Sequence, residues 1–295
     1  MPDSPAPTIT TSRSSNTVAS IGRIRSKGIA AASLSLCHSG RLTLRDNDLT
    51  LRDMTAVARA GGLRGFSTLV RKLGGNPDEL LAQQHLAADI LDNEDALITV
   101  RQIVQLLETS AKTLNCPDFG LQLANSQDIS TLGPLAFAIQ HARTVREAVA
   151  NASRYLFVQS TAMALSMHPD ETRPGLAELR YEPQMPLLVA SLRQILDLVL
   201  GLTHRIIELN FGDYALHSVA LPHTPLAPAS TYVRFFGAPV SFQAPRAALR
   251  FPAPFLERAI PEFNEAMRAL ALQYLETHFP SPAHALSSRV RLALA

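Results

Sequence analysis

The sequence predicts an α+β fold: a helical N-terminal part packed with a small antiparallel sheet, a long central helix and a helical C-terminal linker. Three observations predict it. Apolar residues recur at helical spacing through the first half of the ordered chain. The period then drops to two between 161 and 182. An unbroken helical seam follows at 188–206, with no strand–helix–strand alternation of the kind a nucleotide-binding parallel sheet needs.

Taken in order, residues 1–53 are rich in Ser, Thr and Arg without a sustained period, and read as a disordered tail or a mis-assigned start. From Met54, Leu63, Phe66, Leu69, Val70 and Leu73 make one helical face, stopped at Gly74-Gly75. Asn76 caps the next helix, with Pro77 at its first position and Asp78 and Glu79 at its positive end. Thr99 and Gln102 form a capping box that opens a helix over 99–114, whose stripe is Val100, Val104, Leu107, Ala111 and Leu114. A helix beginning near Ser130–Pro134 follows. Thr144 and Glu147 repeat the capping device for a helix over 144–156. "TAMALSMH" (161–168) and "GLAELRYE" (175–182) alternate in polarity across the turn "PDETRP", an antiparallel hairpin.

Over 186–209, Leu188, Leu192, Ile195, Val199, Leu202 and Ile206 step by four, three, four, three and four, as helix-on-helix packing requires. Two readings of this seam stay open: packing inside the domain, or a dimer contact through Leu188, Leu192, Ile195, Val199 and Leu202. "YALHSVALPH" (214–223) is a strand candidate. "YVRFFGAPVSFQAPRAALRF" (232–251) reads as short strands joined by turns, and helix returns at Pro261–His278.

The 295 residues allow one large or two modest domains. Net charge is +2, but residues 1–53 carry +3 and the remainder −1, so the main body is not a basic nucleic-acid-binding module. Two cysteines, Cys37 and Cys116, form no disulfide framework and suit a reduced cytosol. No run of about 18 uncharged apolar residues offers a membrane span. Arg23, Arg25 and Lys27 before "GIAAASLSLC" imitate an export signal, but the run is short and Leu36 is a poor cleavage-site residue. The expected location is cytoplasmic.

No nucleophile elbow, phosphate-binding loop or dinucleotide fingerprint is present, so no catalytic residue is assigned. His217 with His223, and His278 with His284, are spaced by six, which fits no metal-ligand pattern; "DILDNED" (89–95) lacks the central glycine of a calcium loop. Neither a metal nor a cofactor is expected. Cys116 precedes Pro117 with no evident base and reads as an inert thiol.

Four stretches in order, "LRGFSTLVRKLGGNPDELL", "VRQIVQLLETSAKTLNCPDFGLQLA", "LGPLAFAIQHARTVREAVANASRYL" and "YVRFFGAPVSFQAPRAALRF", resemble the N-terminal effector and dimerisation region of AraC-type bacterial transcription regulators, of the arabinose-binding subgroup. The resemblance covers roughly Leu63 to Leu294. It implies a region that senses a small molecule and pairs into a homodimer, coupled to helix-turn-helix units that grip DNA; the subgroup label does not fix the ligand. It places an effector-binding and dimerisation domain at 54–262, a linker helix and joint at 263–285, and the start of a truncated DNA-binding domain at 286–295, "LSSRVRLALA". No recognition helix is present for a major groove, so no DNA-binding residue is assigned. An apolar pocket between helices and sheet is the expected effector site. Arg154, Tyr155, Gln159 and Arg180 are its candidate anchors because they flank the change from helix to strand; surface or structural roles are the competing reading. A ligand-free dimerisation module and an enzyme on an α+β scaffold are the alternative functions.

Overall fold

The computed structural model describes residues 56–184 and 192–279. Strand β1 (Val57–Arg59) pairs antiparallel with β2 (Leu97–Thr99), with Ala58 opposite Ile98. Four helices surround this ribbon: α1 (Phe66–Lys72), α2 (Pro77–Gln83), α3 (Val100–Thr113) and α4 (Phe119–Asn125). Then come α5 (Pro134–Gln140), α6 (Val145–Tyr155), the hairpin β3 (Met163–Pro169) and β4 (Leu176–Pro183), and the long helix α7 (Arg193–Phe211). The chain continues through β5 (Ser218–Ala220), α8 (Ala229–Phe236), β6 (Val240–Ser241), β7 (Ala247–Pro252) and α9 (Glu265–His278). The α+β class is therefore correct.

Local chemistry sets these boundaries. The Thr99 hydroxyl accepts from Gln102 N while the Gln102 side chain reaches back to Thr99, closing the capping box of α3. Thr144 accepts from Glu147 N at α6, although the Glu147 carboxylate takes the Arg143 amide rather than the cap's own. Asn76 accepts from Asp78 N at α2, and Asn264 from Met267 N at α9. The N-terminal apolar face is broken where the sequence predicted continuity. Gly65 adopts φ 83, so a 3-10 turn at Ala60–Leu63 precedes α1 instead of extending it.

The five-stranded sheet runs β3-β4-β7-β5-β6, antiparallel except for β5 with β6. Ala177, Leu179 and Tyr181 of β4 share one face with Leu249 and Phe251 of β7, and all are buried in the main core. Glu178 and Arg180 occupy the opposite face. The segment 232–251 departs from expectation: Tyr232–Phe236 is helical. Tyr232 and Phe236, four apart, both turn inward, and Gly237 ends the helix in the left-handed conformation.

Two apolar clusters result. One gathers α1, α2, α3 and α4 around Phe66, Leu107 and Phe119; the other joins the sheet to α5, α6 and α7. Helix α7 lies between them. It approaches α4 so closely that a Cβ on Gly120 would stand 2.2 Å from the Gln194 carbonyl oxygen. The Gln194 amide locks that crossing, accepting from Gly120 N at 2.7 Å and donating to Pro117 O at 2.8 Å.

On its other side α7 is pinned through Asp197, which is fully buried. Tyr232 donates to Oδ2 at 2.8 Å, and His223 Nε2 lies 3.1 Å from Oδ1, with His223 Nδ1 on the Thr224 carbonyl at 2.7 Å. Burial depresses the His223 pKa, but the bond and charge of Asp197 outweigh it and leave it above the ordinary histidine value. Burial acts oppositely on Asp197, raising its pKa.

Candidate functional site

The two apolar clusters do not close completely on one another. Ala58, Ile195 and Leu202 pack against both, and a cavity of about 140 Å³ remains between them. Helix α7 supplies one wall through Ile195, Leu198, Val199, Leu202, Thr203 and Ile206. The β1 edge and its 3-10 turn supply Ala58, Arg59, Gly62 and Leu63. The end of α6 supplies Ala152 and Leu156, and the hairpin supplies Met163, Leu165 and Tyr181. Helical and strand periodicity thus converge: one stripe of α7 faces the inward face of β4 across a gap neither fills.

Gln159 enters this wall from the turn after α6. Its backbone is fixed from both sides, N–H to the Leu156 carbonyl at 2.9 Å and carbonyl to Arg59 N at 3.0 Å, while Ser160 bridges Ala58. The side-chain Oε1 is buried and has no hydrogen-bond partner among the described residues. Such an acceptor is costly, and a ligand donor is one way to satisfy it. Several other polar groups of the wall are already engaged. Tyr181 OH lies 2.7 Å from Thr203 Oγ1, which donates to the Val199 carbonyl at 2.8 Å. Burial pushes the Tyr181 pKa up to about 12, so the phenol stays neutral. Thr131 donates to the Asp128 carbonyl. The Arg59 guanidinium pairs with Asp95 and sits over the Phe279 ring, 5.0 Å from its centroid, just past α9.

The four anchors expected from sequence separate. Gln159 lines the cavity. Arg154 is exposed and pairs with Glu276 of α9 at 3.1 Å; Tyr155 is buried but donates to the same carboxylate at 3.1 Å. Both belong to the α6–α9 contact. Arg180 lies on the outer sheet face, 3.1 Å from Glu178 and 3.0 Å from Glu171, with Arg250 bridging Glu178 to Asp170. The α7 seam turns inward: Leu192 is buried, and Ile195, Val199 and Leu202 line the cavity. Leu188 lies outside the described residues. Arg59, Tyr181 and Thr203 were not singled out in the sequence; only the alternation of β4 and the continuation of the α7 stripe hinted at the last two.

Among the described residues no cysteine or histidine lines the cavity, and Cys116, in the other cluster, is buried with its thiol pushed up to about 12, chiefly by burial. Among the described residues no helix is long and apolar enough to cross a membrane. Fold and site define an α+β domain built around an internal apolar pocket.

The comparisons with known proteins carry this further. Residues 74–260 match the arabinose-binding domain of AraC transcription regulators, N-terminal. The chain is 30% identical over 239 residues to the HTH-type transcriptional regulator VirS of Mycobacterium tuberculosis, covering 81% of this chain and 70% of that protein. It is 26% identical over 208 residues to the ornithine utilization regulator of Pseudomonas aeruginosa, covering 70% and 60%. The crystal structure of the transcriptional regulator CdpR from Pseudomonas aeruginosa shares the fold at TM-score 0.51 and 18% identity, over 66% of this chain and 59% of that one. The chain belongs to the AraC family of transcription regulators, and it is not an enzyme family.

Proposed function

We propose that this chain senses a small-molecule effector in the cavity between α7 and the sheet, and that occupancy controls DNA binding through helix-turn-helix units of the kind its relatives are named for. The Gln159 oxygen, unpartnered among the described residues within a mostly apolar wall, carries the reading. Gln159 is the one expected anchor retained as an effector contact. Arg154 and Tyr155 instead tie α9 to α6 through Glu276, beside the Arg59–Phe279 contact that joins α9 to the cavity wall. An effector acts only if it binds two arrangements with different affinity; α9, touched by a wall residue, is the element it would bias. Cytoplasmic residence suits this role.

Homodimerisation forms part of the proposal, but through a different surface from the inward α7 stripe. Met267, Leu270 and Tyr274 of α9 leave an exposed apolar groove against Phe137 of α5. Their spacing of three and four suits pairing with a second copy of the same helix. Leu270→Glu should convert a dimer into a monomer in light scattering; an unchanged mass would exclude this surface.

A thermal-shift screen of metabolites against the wild type and Leu202→Trp tests the sensor claim. A stabilising ligand should lose its effect when the indole fills the cavity, while Arg180→Ala on the outer sheet face leaves its affinity unchanged. A ligand indifferent to Leu202→Trp, with the variant folded, binds elsewhere and refutes the site.

A further inference from the structure

The wall also selects among ligand chemistries. Resting on the cavity being the effector site, we propose that its occupant is a compact, uncharged, mostly apolar molecule of roughly six to nine non-hydrogen atoms bearing one hydrogen-bond donor. Size sets the first limit. A cavity of about 140 Å³ is close to one that holds a single benzene-sized molecule.

Charge sets the second. Among the described residues no acidic side chain lines the cavity, so an ammonium group would enter without a counter-ion from them. Arg59 is the sole cation on the wall among the described residues. Asp95 already neutralises its charge and the Phe279 ring covers it, so a ligand carboxylate would have to compete with Asp95 for the guanidinium. Hydrogen-bonding capacity sets the third. The Tyr181 and Thr203 hydroxyl protons are spent on Thr203 and the Val199 carbonyl, which leaves the Gln159 oxygen as the buried side-chain acceptor of this wall with no partner among the described residues. A molecule with several hydroxyl groups would strand most of them, each at a cost of about tenfold or more in affinity. A single donor meets the buried Gln159 oxygen, and most of the rest of the ligand meets hydrocarbon.

Calorimetric titration of the full chain tests this with defined probes. Phenol and indole represent the proposed class, toluene the same shape without a donor, and benzoate, L-arabinose and L-ornithine the excluded classes. Phenol and indole should bind below about 10 mM, and the three excluded probes should not. In Gln159→Leu the phenol-to-toluene affinity ratio should fall about three- to tenfold, since only phenol uses the amide oxygen. Leu202→Trp should abolish phenol binding, with Ala152→Phe as a second filling variant should the first not fold. Failure of both phenol and indole to bind overturns the proposed class. So does arabinose, ornithine or benzoate binding that a filling variant abolishes, although that result leaves the cavity as the site. Binding that both folded filling variants leave unchanged overturns the site itself.

Discussion

Replacing Gln159 by leucine should make the unliganded protein more stable while weakening its response to a donor-bearing ligand. The Gln159 backbone bonds to Leu156 and Arg59 do not involve its side chain, so the turn survives the change. What disappears is a buried amide oxygen without a partner. An unmet acceptor of this kind costs about 1–3 kcal/mol, and leucine matches a wall already made of Leu63, Leu135, Leu156 and Leu202. A net gain of about 1–2 kcal/mol follows. In a domain of this size that is a rise of roughly 3–5 °C in Tm. Urea unfolding followed by circular dichroism, with the m-value checked for constancy, measures it directly. A loss of more than about 1 kcal/mol would refute the reasoning, because it would mean that the oxygen is satisfied in the unliganded protein and that the cavity holds no vacancy for a donor.

Other perturbations probe the frame that shapes the cavity. Gly120→Ala drives a methyl to within 2.2 Å of the Gln194 carbonyl, where backbone must move; destabilisation of about 3 kcal/mol is expected in denaturant titration, and tolerance within about 0.5 kcal/mol would show a looser α4–α7 crossing. Asp197→Ala leaves His223 and the Tyr232 hydroxyl without their shared acceptor and should cost about 3–5 kcal/mol; a loss below about 1 kcal/mol would remove Asp197 as the pin of α7. Burial lowers the His204 pKa from 6.5 to about 4, so the unfolded chain binds the extra proton between those values. The His204 contribution to stability should therefore be flat above pH 6.5 and fall by up to about 3 kcal/mol as pH drops from 6.5 to 4. His204→Gln should flatten that slope, and an unchanged slope would assign it to other groups.

Much of this architecture was legible because local chemistry and periodicity agree. The capping pairs Thr99/Gln102 and Thr144/Glu147 mark helix starts that the structure retains, and the alternation across "PDETRP" marks the β3–β4 hairpin. Tyr232–Phe236 misled because its aromatic and β-branched residues suit strands. Its helix depends on tertiary partners, the Asp197 carboxylate above all, that lie 35 residues away in sequence. The site was only half legible for a related reason. The α7 stripe announced a packing face, yet spacing alone cannot tell whether a helix meets a second copy, a core or a void. Gln159 was reachable because it sits at the change from helix to strand. Arg154, Tyr155 and Arg180 share that neighbourhood in sequence but point to Glu276 and Glu178, partners that pairing across the fold supplies.

The central claim, that an effector occupies the gap between α7 and the sheet, is tested most directly by methyl-labelled NMR during titration with phenol. The largest shift changes should fall on Ile195, Leu198, Leu202 and Ile206, with intermolecular contacts to those methyls, while Leu270 and Met267 on the outer face of α9 show no contacts to the probe. Contacts confined to the outer groove, or to residues of neither surface, would contradict the account.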